Sequence, residues 1–261
     1  MVGASKTVFT IHAATLQPLS RYFKTIINSS SRESKEGLEC PDVDVETFFA
    51  FSQFAYDRDY PPPNLPPYTA VARTAKEARR GQEGQRINKF ARSRMSRCSL
   101  LSWHYSACKN SRQEGGATRQ ERPWRIREAF IASSVARTRG IREDSTRPEA
   151  LLPHAKLYVL GCRYDIPSLR VLAYRKIALI LIHMLLSYHT ADCVAELVEY
   201  VYANTATIND APNKDELRKL LVVFAACVYE HFLTNPRFSA AVRAHGEFGL
   251  GILDMLQTWT L

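Results

Sequence analysis

Long apolar runs are what this chain most clearly lacks. Its most apolar stretch, Ile177 to Leu186, covers about ten residues and contains His183, whereas a membrane-spanning helix needs roughly 20 apolar residues. That stretch is read as a buried helix. Residues 1–20 lack a basic segment followed by an apolar one, so no secretory signal is expected. The six cysteines, at 40, 98, 108, 162, 193 and 227, form no CxxC pair. With no export signal they read as reduced thiols, several of them core filler. These absences predict a soluble intracellular protein, nuclear or cytoplasmic.

Catalytic signatures are missing as well. The chain holds no nucleophile elbow, phosphate loop, HExxH, paired-carboxylate motif or dinucleotide fingerprint. Gly3 and the Gly115-Gly116 pair lack the strand–turn–helix context that a phosphate loop requires. Cys98, His104 and Cys108 form a Cys/His cluster, but not at zinc-finger spacing, and a tetrahedral zinc site needs four ligands. His12 is read as a buried structural histidine donating to a backbone carbonyl at a strand-to-helix junction. Neither an enzyme, nor a cofactor, nor a metal is expected.

What is present in excess is positive charge, in one place. The net charge is +9, but residues 61–150 hold 19 basic and 8 acidic side chains, leaving 16 basic and 18 acidic for the remainder. The segment therefore carries +11 and the rest −2, so the whole-chain charge does not argue for a basic face on the folded part.

Residues 6–12 alternate like a short strand, with Val8, Thr7, Thr10 and Ile11 favouring extended backbone. Thr15 is placed as the cap of a helix from Leu16 through Leu19, Phe23 and Ile26-Ile27, ended by Ser29-Ser30-Ser31. Gly37 to Pro41 reads as a second brief strand. Asp44 then caps a helix whose Val45, Phe48, Phe49, Phe51, Phe54 and Ala55 form a core stripe. Pro61-Pro62-Pro63 and Pro66-Pro67 stop regular structure. The Arg-rich segment 61–148 reads as a mostly disordered insert, too poor in apolar residues to offset the roughly 1–2 kcal/mol per residue needed to order backbone. Helices are expected again over 149–162, from Pro167, from about Asp192, over Asp215–Leu233, from Asn235-Pro236 to about Ala244, and after Gly246. The four segments are thus 1–60, 61–148, 149–205 and a helical 206–261.

Two of these segments carry a family pattern. The first reads Phe9-Thr10-Ile11-His12, Leu16, Ser20, Tyr22-Phe23, then Leu38 to Phe48, then Phe51, Tyr56 and Tyr60. The second reads Ala155, Leu157-Tyr158-Val159-Leu160, Tyr164, Ile166 and Leu169. In order and spacing they resemble the BTB/POZ family, its fungal branch in particular, over about 160 residues. The resemblance implies an α/β, α-rich fold: a small sheet capped by helices, with a C-terminal helical extension. It also implies a non-enzymatic protein–protein interaction module. Self-association as a homodimer and adaptor work on a cullin ubiquitin-ligase scaffold are the partnerships it brings. Cullin-recruiting members carry an apolar-x-Glu motif where this chain has Ser31-Arg32-Glu33. Phe9, Leu16, Leu19, Tyr22 and Phe23 are the contact candidates, since the region of the first helix is the usual self-association surface. His12 and Ser20 are structural in the family.

A second function class rests on the insert. Arginines from Arg73 to Arg97, with Trp103, Tyr105 and Trp124, offer charge and stacking for sequence-tolerant nucleic-acid binding through 70–147. The plain alternative is a solvated charged loop, or a stretch of translated intron. Binding that survives deletion of 61–148 cannot be of this kind.

Overall fold

Side-chain caps and prolines set most element boundaries in the computed structural model, which describes residues 1–3, 6–30, 39–61, 147–184, 186–205 and 215–260. The helices are α1 (Ala13–Leu16), α2 (Arg21–Ser30), α3 (Val45–Asp57), α4 (Leu151–Arg163), α5 (Pro167–His183), α6 (Tyr188–Asn204), α7 (Glu216–Phe232), α8 (Pro236–Ala244) and α9 (Gly246–Thr260). Apart from Pro61, Arg147 and Pro148, the expected insert lies outside the described residues, as do Cys98, His104, Cys108 and the Arg-rich candidates.

The expected small sheet is overturned. Among the described residues no strand forms, and extended pairing is limited to isolated bridges from Val2 to Thr7 and from Val2 to Cys40. Among the described residues the α/β, BTB/POZ-like fold class therefore gives way to an all-helical one. Thr7 pairs through a turn in which Gly3 (φ +66°) and Lys6 (φ +49°) take left-handed backbone and Lys6 N–H donates to Gly3 O at 3.1 Å. Beyond Thr7 no neighbouring chain continues the ladder, and Val8 is 74% exposed. Strand propensity is largely a preference for a half-buried pleated surface, and β-branched residues without a partner strand lose that reward.

The single helix expected from Leu16 to Ile27 is also corrected, into two. Pro18 interrupts, lacking an N–H to donate, and Ser20 begins the next helix. Its Oγ accepts from the backbone N–H groups of Tyr22 (3.0 Å) and Phe23 (3.4 Å). Two further readings shift. The core stripe of α3 holds for Phe48, Phe51, Phe54 and Ala55, but Phe49 is 53% exposed, because adjacent helical residues point about 100° apart. Helix α6 starts four residues before Asp192, where Ser187 and Thr190 form a reciprocal capping box.

The other boundaries fall where expected. Asp44 accepts from Thr47 N–H, Asp215 from Arg218 N–H and Asn235 from Phe238 N–H, each capping its helix. Pro167 and Pro236 open α5 and α8, where a missing N–H is harmless.

Two compact units divide at Ile180–Leu181, within α5. In the first, α3 packs on α4 and α1 packs on α2 and α3. Its core joins the two ends of the long sequence gap. Phe23 stacks on Phe51 (5.9 Å between centroids) and on Tyr164 (5.5 Å), and Ser20 Oγ donates to the Tyr164 carbonyl at 2.5 Å. Tyr164 hydroxyl in turn donates to Cys40 Sγ at 3.2 Å. In the second unit α6 packs on α7 and α8, and α9 on α7 and α8. Phe224, Phe232, Phe238 and Phe248 follow one another at centroid separations of 5.4–6.4 Å, each pair edge-on. No described helix is long and apolar enough to cross a membrane.

Candidate interaction cleft

The five contact candidates separate on burial. Leu19 and Phe23 are 5% and 3% exposed and belong to the core of the first unit. Phe9 and Leu16 are half-buried, with the Phe9 ring 4.8 Å from that of Phe48. Tyr22 is 41% exposed while its ring touches those of Phe23 and Tyr164. Of the five, only Phe9 lines a concave feature described in this unit.

That feature is a cleft of about 380 Å³ between the first half of α3 and the start of α4. Phe9, Val45, Phe49, Ala50 and Leu157 give it apolar walls, and Tyr60 and His154 also line it. Asp44, Glu46, Gln53 and Lys156 supply its polar groups. Helix α3 presents Phe49 here because Phe48 and Phe51 take the core side of the same turn.

Tyr60 and His154 form the most buried polar pair of the cleft, 3% and 2% exposed, with the hydroxyl 3.1 Å from Nδ1. Burial drives the His154 pKa down to about 3; nearby Lys176 adds to this and Asp59 opposes it. Burial, with Asp59 secondary, also pushes the Tyr60 phenol well above its usual range. Both groups are therefore neutral across ordinary pH. Lys176 holds Tyr60 from one side. Its Nζ donates to Asp59 Oδ1 at 2.7 Å and to Tyr60 O at 2.6 Å, and lies 3.8 Å from the Tyr60 ring centroid. A neutral imidazole engaged by a protonated phenol gives the cleft a fixed wall rather than a proton-transfer pair.

At the mouth, Lys156 Nζ lies 3.0 Å from Asp44 Oδ2. Burial raises the Asp44 pKa, but the Thr47 N–H, the Lys156 ammonium and the Thr47 hydroxyl outweigh it and hold the carboxyl below its ordinary range. Glu46 is exposed in the first turn of α3. The Gln53 Oε1 atom is buried without a hydrogen-bond donor.

His12 is corrected from its expected buried role. It is exposed at the start of α1, and its Nδ1 lies 2.8 Å from the Tyr56 hydroxyl, which also accepts from the His12 backbone N–H at 3.1 Å. With no sheet to bury it, the ring sits edge-on to Tyr56 at the surface. No group of three His, Cys, Asp or Glu side chains among the described residues could hold a metal ion.

Sequence reasoning passed over His154, Lys156, Gln53 and the outward turn of Phe49. One signal was readable: Phe48 and Phe49 are adjacent, and a helix cannot aim both at one core. The pairing of Tyr60 with His154, 94 positions apart, left none. No family model, no curated protein and no solved structure matches the chain.

Proposed function

We propose that this chain is a non-enzymatic protein-interaction module that holds a partner through the α3–α4 cleft. One observation carries the reading: an open, mainly apolar cleft of about 380 Å³ walled by a 53%-exposed Phe49. An aromatic side chain left in water beside a concave apolar surface is the usual form of a contact anchor. Tyr60 and His154, neutral and engaged with each other, fit a binding wall better than a reacting pair. The BTB/POZ-like order of motifs supports the same class, through its residues alone. A second copy of the chain and a ligase scaffold are the partners that resemblance brings.

The test combines light scattering on the full chain with a photo-crosslinking residue at position 49 and, as control, at exposed position 253 in the second unit. A discrete protein adduct from position 49, absent from position 253, supports the reading. A doubled mass lost in Phe49→Asp identifies self-association as its form. Equal adducts from both positions overturn it. Salt-sensitive binding of single-stranded nucleic acid that vanishes on deleting 61–148 would favour the nucleic-acid reading instead.

A further inference from the structure

The polar lining of the cleft is unbalanced. Its one lysine among the described residues, Lys156, already lies on Asp44 at 3.0 Å, and Tyr60 and His154 are neutral and turned on each other. Glu46 is exposed at the mouth with no ion-pair partner among the described residues. The amino end of α3 contributes roughly +0.5 of a charge, so with Asp44, Glu46 and Lys156 the local sum stays about −0.5. Among the described residues lining the cleft, Glu46 is the charged side chain left without an opposite charge.

Resting on the interaction reading above, we propose that the cleft takes a peptide segment of a partner protein with an apolar side chain beside a Lys or Arg. The apolar group fills the space against Phe49, Ala50 and Leu157. The cation lies at Glu46. Charge complementarity at an exposed edge is worth a preference of about two- to five-fold. It weakens with salt because both charges face solvent.

The probe is a library of fluorescent nonapeptides with central Leu, Phe or Trp and flanks of Lys, Gln or Glu, titrated by anisotropy against the full chain. Lys-flanked peptides are expected to bind about two- to five-fold more tightly than Glu-flanked ones. Glu46→Lys should erase or reverse that order, and Phe49→Asp should abolish binding with an unchanged circular dichroism spectrum. A preference for Lys that Glu46→Lys leaves intact comes from elsewhere in the chain and overturns the proposal. So does tight binding without any charge order, although there the interaction reading survives through its loss in Phe49→Asp. A mass that doubles, with peptides excluded until the dimer is broken, assigns the cleft to a second copy and sinks the peptide. If no peptide binds and position 49 crosslinks nothing, both readings fall together.

Discussion

Arg218 Nη1 donates to Glu247 Oε2 at 2.7 Å from a side chain that is 2% exposed. The same guanidinium reaches Thr205 Oγ1 (2.8 Å), Thr205 O (2.5 Å) and Tyr202 O (3.1 Å), and lies 4.4 Å from the Tyr202 ring centroid. It therefore satisfies carbonyls left open where α6 ends and ties them to the start of α9. A buried cation is tolerated here because its donors are used.

Removing either partner should be unequal in effect. Arg218→Ala leaves buried carbonyls without donors and is expected to destabilise the second unit by about 3–5 kcal/mol. Glu247→Gln keeps a hydrogen-bond acceptor but removes the counter-charge of the buried guanidinium, and is expected to cost about 2 kcal/mol. Urea unfolding followed by hydrogen exchange in α6 and α9 reads both, and equal losses would contradict the assigned role.

His154 makes stability fall in mild acid. Its folded pKa is depressed to about 3, below the ordinary histidine value of 6.5. Between those values the unfolded chain takes a proton that the folded chain refuses. The contribution is complete above about pH 6.5 and is lost progressively as pH falls toward 3. The slope in that window is about 1 kcal/mol per pH unit. His154→Gln should flatten it in urea titrations between pH 4.5 and 7.5; an unchanged slope would mean the ring charges freely in the fold.

Asp44 works at a lower pH and at smaller magnitude. Its carboxyl is held below its ordinary value, so its contribution is present above about pH 4 and is lost as pH drops through the lowered folded value. Asp44→Ala removes the α3 cap and should cost about 1 kcal/mol. The half-exposed pair with Lys156 adds at most a few tenths. Thermal melts of Asp44→Ala, Asp44→Asn and Lys156→Gln separate the terms: Asn should recover most of the cap, and the Lys156 change should be the mildest.

Gly161 lies where α4 meets the first turn of α5. A Cβ at this position would lie 2.9 Å from Arg170 Cγ, 3.1 Å from Arg170 N and 3.3 Å from Ile166 O. The arginine stem can move aside, but the two backbone atoms cannot. Gly161→Ala is expected to destabilise the first unit by about 1 kcal/mol and Gly161→Val by about 2–3 kcal/mol. A neutral Gly161→Val in urea unfolding would show that the α4–α5 junction relaxes.

Much of the helical framework was legible in the residues themselves. Asp44, Asp215, Asn235-Pro236 and Pro167 announce helix starts through bonds or missing donors within three positions of themselves. The candidate site was legible only in fragments. Phe9 and Tyr60 belonged to quoted motifs. Leu19 and Phe23 looked like contact residues but are buried at 5% and 3% exposure. Periodicity marks an apolar face without saying whether a core or a partner covers it. Asp44 was recognised as a cap, while its ion pair with Lys156 crosses 112 positions and no local pattern could announce it.

By itself, then, the sequence determined where most of the described helices begin, because side-chain caps and prolines act through near neighbours. Tertiary structure decided everything that depends on who comes alongside. It withheld the sheet, since Val8, Thr10 and Ile11 found no strand to pair with, and it moved His12 from the interior to the surface. It also closed Tyr60 on His154 and turned Phe49 outward beside them. Burial and pairing are properties of residues far apart in sequence, and local propensity yields to them whenever the two disagree.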